Sequence, residues 1–96
     1  MVPTRFPGVE IKVLMEDPAT GMSTALTRFA AGAVLPAHEH VGLEQSWVLE
    51  GELHDDEGVV ASGGYVWRPP GSHHTARSPS GCLVLSFFMK PNRFDV

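Results

Sequence analysis

Glycine and proline punctuate this chain from end to end, and no other feature limits its fold as much. It carries 10 Gly and 8 Pro in 96 residues, against about 12 in all from average usage. They are not gathered into a linker but recur as turn signals along the whole length. Between them no stretch carries a convincing 3.6-residue apolar period, so little or no helix is expected. Alternation is present instead. Val9, Ile11 and Val13 alternate with Glu10 and Lys12, and the run ends in the turn sequence Asp17-Pro18-Ala19-Thr20-Gly21. Further strands are read over Met22 to Phe29, Val34 to His40, Glu44 to Leu49, Tyr65 to Trp67, His74 to Arg77 and Cys82 to Phe88. Pro36 gives the Val34 segment an irregular start or an edge position. Gly51 marks a bend, after which Glu52 to His54 and Val59-Val60 form a short hairpin. The acidic Asp55-Asp56-Glu57 between them reads as a solvated turn. About eight short strands predict an all-β sandwich or barrel, in a single domain over residues 1–96.

Composition narrows the function classes. The net charge of −4 argues against sequence-independent nucleic-acid binding, which needs a basic surface. No apolar run approaches the roughly 20 residues of a membrane span, and the start lacks the apolar core of a secretion signal. A cytoplasmic protein is expected. With one cysteine, Cys82, no internal disulfide and no Cys-based zinc site can form, and Cys82 reads as a small buried hydrophobe at the head of an apolar strand. A chain this small buries only about 60% of its unfolded surface, so its core needs help from a metal or a partner.

The histidines supply a candidate for that help. His38 and His40 are one residue apart, so on a strand both imidazoles project from one face. Glu44 follows four residues later, and His73 and His74 come just after Pro69-Pro70-Gly71. Two imidazoles, a carboxylate and an imidazole from a neighbouring strand can surround one divalent cation. Such an N₃O set without thiolate suits Fe(II), Mn, Ni, Zn or Cu(II).

The same residues carry a family resemblance. Gly32, five residues, His38-Glu39-His40, three residues, Glu44, six residues, Gly51 resembles the first cupin motif, over 32–51. Gly63, five residues, Pro69-Pro70-Gly71, two residues, His74 resembles the second, over 63–78, with Ser78 where that motif usually has Asn. The flanks F-P-G-V-E-I-K-V-L and D-P-A-T-G-M-S-T-A-L-T-R-F extend the likeness to the ChrR-like cupins, the type found as the C-terminal half of zinc-binding anti-sigma factors. The resemblance implies a small conical cupin β-barrel, a jelly-roll-like double-stranded β-helix, with the metal inside. His38, His40, Glu44 and His74 fall on the four ligand positions, for one divalent transition metal such as Zn, Fe, Ni or Mn. His73 then reads as a neighbour of a ligand and His54 as a surface residue.

Alternation places Ser46 and Val48 on the inward face with Glu44, and Ala76 near His74, so these three are the pocket candidates. Trp47 points outward, while for Tyr65 and Trp67 against Val66 and Arg68 the inward pair stays open. Arg28, Arg68 and Arg77 are the cations available to anchor an anionic ligand, and they read in preference as partners for surface acids. Beyond the metal ligands no acid, base or nucleophile stands out, so any catalytic residue is unknown and the chemistry would be metal-centred. Cupins with this sequence flavour resemble dioxygenases that cleave diketones or hydroxyketones. That implies an oxidoreductase with a small-molecule substrate; the alternative is a non-catalytic, metal-stabilised binding or sensor module. A role in transcription control is weakened, since the anti-sigma activity of that family resides in a Cys-liganded zinc domain and this chain has a single Cys. An outward Trp47 and the apolar strand with Phe87 and Phe88 predict a homodimer.

Overall fold

The computed structural model describes residues 1–94, which form ten strands and no helix. These are β1 (Val2–Pro3), β2 (Val9–Glu16), β3 (Ser23–Phe29), β4 (Ala33–Glu39), β5 (Glu44–Asp55), β6 (Gly58–Ala61), β7 (Tyr65–Arg68), β8 (His73–Ser78), β9 (Cys82–Phe88) and β10 (Arg93–Phe94). All pairings are antiparallel, in the order β1-β2-β3-β9-β5-β8-β4-β10, with β6 and β7 also paired to β5. The sheet curls on itself so that one face lines an interior, the all-β barrel expected from the turn spacing.

β5 organises the curl. The sequence reading ended a strand at Leu49, but the strand continues for 12 residues and changes partners on the way. Glu44 to Trp47 pair with β7, and Glu44 to Gly51 with β9. Beyond Gly51 the strand pairs with β6, and His54 meets Arg77 of β8. A register shift between Val48 and Glu50 and a φ of +75° at Gly51 make the bend. A Cβ at Gly51 would lie 2.1 Å from the carbonyl oxygen of Gly81, so backbone conformation and space both require glycine. Pro36 behaves as read: β4 has its irregularity between Leu35 and His38.

The core is small. Val9, Phe29, Val48, Leu53 and Val84 pack with Ala33, Ala76 and Cys82. The largest wholly buried side chains are His38 and His40, and Ser46, Arg68, Ser78 and Ser86 are buried with them. Buried imidazoles and hydroxyls survive only where hydrogen bonds or an ion satisfy them. The interior is therefore built around a polar site.

Candidate metal centre

β4 and β8 set the histidines. Their register puts His38 opposite His74 and Glu39 opposite His73. One face of the pair thus carries two buried imidazoles, and the other carries an exposed His73 that lies 3.9 Å from Glu39. His40 follows β4 and is fixed by the Pro-Pro-Gly turn: its N–H donates to the Ser72 carbonyl at 2.8 Å, and Gly71 N–H donates to the His40 carbonyl at 2.7 Å. Gly71, at φ +86°, allows that turn.

The hydrogen bonds assign the ring tautomers. His38 Nδ1 lies 2.8 Å from the Pro36 carbonyl, which only accepts, so Nδ1 carries the proton. His40 Nδ1 lies 3.1 Å from Ser72 Oγ, whose own hydrogen goes to the Pro69 carbonyl at 2.7 Å, so this Nδ1 also donates. His74 Nδ1 lies 3.5 Å from the carboxylate of Asp55. The Nε2 atoms of His38 and His40 then carry lone pairs, and the three rings offer nitrogens within 4.8 Å of one another. His38 Nε2 and His74 Nε2 are 3.0 Å apart, and His40 Nε2 is buried without a hydrogen-bond partner. Two imidazole nitrogens this close share either a hydrogen or a cation. The three histidines are placed to hold a metal ion.

Glu44 comes up beside them. Its Oε1 is 3.1 Å from His40 Nε2. Ser46 Oγ donates to its Oε2 at 2.9 Å, and Ser86 Oγ lies 2.8 Å from Ser46 Oγ. With the Ser46 hydrogen used on Glu44, Ser86 is the donor, so the relay ties down Oε2 and leaves Oε1 facing the imidazoles. Two donors at right angles around an ion about 2.1 Å away stand roughly 3.0 Å apart, which matches the 3.0 and 3.1 Å separations here. Burial pushes the Glu44 carboxyl up, but the His40 ring, Ser46 Oγ and His74 outweigh it and hold it below the usual carboxylate value. Burial first, then the charges of His38, Arg68 and His40, push His74 down to about 3, against a smaller opposing pull from Glu44. Near neutral pH the site therefore offers a neutral His74 ring and a Glu44 carboxylate, the forms that bind metal.

A cavity of about 50 Å³ adjoins these side chains. Ser46 and Ala76 are on its wall. Val48 is not: it points inward as alternation requires, but it is wholly buried in the apolar core, two residues further along β5. Trp47 is outward, in ring contact with Tyr65 and Phe87. Arg28 meets Glu50 at 3.6 Å on the surface.

Two readings need correction. Asp55 is not solvated: it is paired with Arg68, and the two side chains are only 6% and 8% exposed. Arg68 is the inward member of β7, and Glu57 stands 3.7 Å from it at the surface. The pair lies behind His74, and sequence reasoning missed it because the bulge and Gly51 break the alternation that starts at Glu44. Asn92 was also missed: its Nδ2 is 3.5 Å from Glu44 Oε1, and its Oδ1 is buried without a partner. His54 is half-buried, with Nε2 3.3 Å from Glu52.

Solved structures share this architecture. An acetylacetone dioxygenase from Acinetobacter johnsonii superposes with a TM-score of 0.87 at 22% identity, over 96% of this chain and 68% of that one. A cupin-like protein of unknown function from Ralstonia eutropha gives 0.82 at 27% identity, over 88% and 61%. The complex of Rhodobacter sphaeroides SigE with the anti-sigma ChrR gives 0.79 at 24% identity, over 90% of this chain and 46% of that chain. This chain thus spans less than two thirds of the length of the last two. No curated protein matches it. Residues 2–92 match the sequence profile of the ChrR cupin-like domain. With both cupin motifs folded around a trio of converging imidazoles, the chain belongs to the ChrR cupin-like family.

Proposed function

We propose that this chain, as a single cupin domain over 1–96, is a metal-dependent oxidoreductase of the dioxygenase type that acts on a small chelating diketone or hydroxyketone. The observation that carries the reading is the convergence of three imidazole rings beside Glu44 Oε1. His38, His40, His74 and Glu44 are the proposed ligands, for Fe, Mn, Ni or Zn. A redox-active ion of this kind, when bound, polarises chelating oxygens and activates O₂. The chain's own part is orientation: Pro36, Ser72 and Asp55 fix the rings, and the Ser86–Ser46 relay fixes the carboxylate. Phe29, Leu35, Val84 and Phe88 give the cavity an apolar wall. The acetylacetone dioxygenase neighbour shares the fold, and its name suggests the first substrates to try. The test is metal analysis of protein purified without supplementation, then O₂ uptake with β-diketones. His40→Ala is expected to lose the metal and the uptake; full metal content in His40→Ala contradicts the ligand assignment.

One observation favours the second reading, a metal-stabilised binding or sensor module. The cavity at the ligands has about 50 Å³, room for a few waters at about 10–15 Å³ each. A ligand-dependent absorption band without O₂ uptake would select that reading.

The reading also includes a homodimer in a cytoplasmic setting, without nucleic-acid or membrane partners. Among the described residues no helix is long and apolar enough to cross a membrane. The outer sheet face aligns Tyr65, Trp47, Leu85 and Leu26 in one cross-strand row. Trp47, Tyr65, Trp67 and Phe87 are 37%, 44%, 56% and 37% exposed. At about 200 Å² per ring they present roughly 350 Å², nearly half of the roughly 800 Å² a stable partner covers.

A further inference from the structure

A second cavity, of about 370 Å³, adjoins the first. Thr27, Leu35, Phe88 and Asn92 line both, so the two are separated only by a shared wall. Its volume lies within the roughly 300–1,000 Å³ of small-molecule sites. The rest of its lining comes from Ser23 and the two ends of the chain. Phe6, Val9 and Ile11 form one side, and Pro91 and Phe94 the other. β10 holds the second side in place by pairing Phe94 with His38. The Phe94 ring lies 4.9 Å from the His38 ring and 4.9 Å from the Phe6 ring.

The lining is mostly apolar, with the hydroxyl residues Thr4, Ser23 and Thr27 among it, and two further polar groups stand out. Asn92 stands at the junction, with Nδ2 toward Glu44 and a buried Oδ1 that has no partner. Arg5 stands at the outer edge. Its guanidinium carbon is 4.7 Å from the Phe6 ring centre and 5.6 Å from that of Phe94. Arg28, Arg68 and Arg93 have carboxylates beside them, whereas Arg5 has none within ion-pair distance among the described residues. Among the described residues no acid lines the cavity. In a chain of net charge −4, this cavity wall is a local positive site. A guanidinium stacked on two rings is oriented with its edge donors available, the geometry that receives a carboxylate.

We propose that the outer cavity binds the far end of the ligand, and that this end is a carboxylate held by Arg5. The ligand class is a short keto acid: a chelating pair of oxygens at the metal side, an apolar stem between Leu35, Phe88 and Phe94, and the acid at Arg5. Asn92 Oδ1 accepts a hydrogen bond from the enol or hydroxyl form of the chelating head. The inner cavity is too small for a whole diketone, so the stem passes through the shared wall. This inference rests on the metal-site reading above.

The test compares two compounds with the same seven-carbon skeleton, heptane-2,4-dione and 4,6-dioxoheptanoate, on the Fe(II)-loaded chain under nitrogen. Binding is read from the chelate absorption band and, independently, from the shift in melting temperature. The acid is expected to bind at least tenfold more tightly than the neutral diketone, with an advantage that shrinks as salt is raised. Arg5→Gln is expected to abolish that advantage, and Arg5→Lys to retain part of it. Arg5 is exposed, so neither change threatens the fold. If both compounds bind equally, or Arg5→Gln weakens both alike, the carboxylate site is overturned and the metal site stands. If the chain retains no metal and neither compound binds, the metal-site reading has failed and this inference falls with it.

Discussion

Asp55→Asn tests whether the buried pair behind His74 is as consequential as its position indicates. Asp55 and Arg68 are 6% and 8% exposed, so neither has water to fall back on. Removing one partner of a buried pair costs about 3–5 kcal/mol, because the remaining charge stays desolvated. Glu57 gives little relief: it is 3.7 Å away but 85% exposed, and such a contact contributes at most about 1 kcal/mol. The net expectation is a loss of roughly 2–4 kcal/mol. Small domains have about 0.05–0.15 kcal/mol per residue in total, so the loss is large but survivable. Urea denaturation reads it directly as a lower midpoint with an unchanged slope. The double variant Asp55→Leu/Arg68→Met removes both charges and is expected to recover most of the loss. A second readout is independent of stability. The Asp55 carboxylate lies 3.5 Å from His74 Nδ1, and losing such a neighbour of a ligating imidazole lowers metal affinity about 10–100-fold. A loss below 1 kcal/mol in Asp55→Asn together with unaltered metal affinity would refute the reasoning.

Three further predictions follow from other parts of the structure. Gly51→Ala combines a left-handed backbone, about 1–2 kcal/mol, with overpacking against Gly81, about 1–3 kcal/mol, so a loss of roughly 2–5 kcal/mol is expected; a midpoint within error of the parent contradicts the bend. The metal-free chain is expected to lose stability as pH falls below 6.5. His74 is held near 3 in the fold and titrates near 6.5 when unfolded, so its contribution is complete above pH 6.5 and declines toward pH 3, at less than about 1.4 kcal/mol per unit because some solvent reaches the ring. A melting temperature constant from pH 7 to 4.5 would contradict this. Finally, sedimentation is expected to give a species of twice the 10.4 kDa chain mass, and Trp47→Glu to halve it; a monomer at micromolar concentration refutes the outer-face dimer.

Much of the fold was legible because it is written in local signals. Alternation located β2, β3 and β9 within a few residues, and Asp17 to Gly21 is a turn in which Asp17 accepts from Ala19 N–H and from Thr20 Oγ1. The histidine spacing was readable for the same reason, since residues two apart on a strand share a face whatever the strand pairs with. Asp55 and Arg68 were not readable, because the facing of a residue beyond a bulge depends on how many residues the bulge absorbs. Nor was the role of Asn92 and Phe94. β10 pairs with β4 more than fifty residues earlier, and Arg93 meets Glu39 across that junction. Nothing local to Pro91-Asn92-Arg93 announces such a partner.

The pairing of β4 with β8 has a kinetic consequence. His38 and His74 become neighbours only once strands 36 residues apart have docked, and β5 pairs Glu44 with Phe88 over a longer loop. Sheets dominated by such non-local pairs fold slowly, in about milliseconds to seconds, since loop closure precedes the contacts that reward it. The ligand set is therefore complete only after the rate-limiting docking, and an ion cannot speed a step that precedes its own site. Its stabilisation falls on the reverse reaction. A metal bound there would act as a latch on the finished barrel: it would lengthen the lifetime of the fold while leaving the time needed to reach it unchanged.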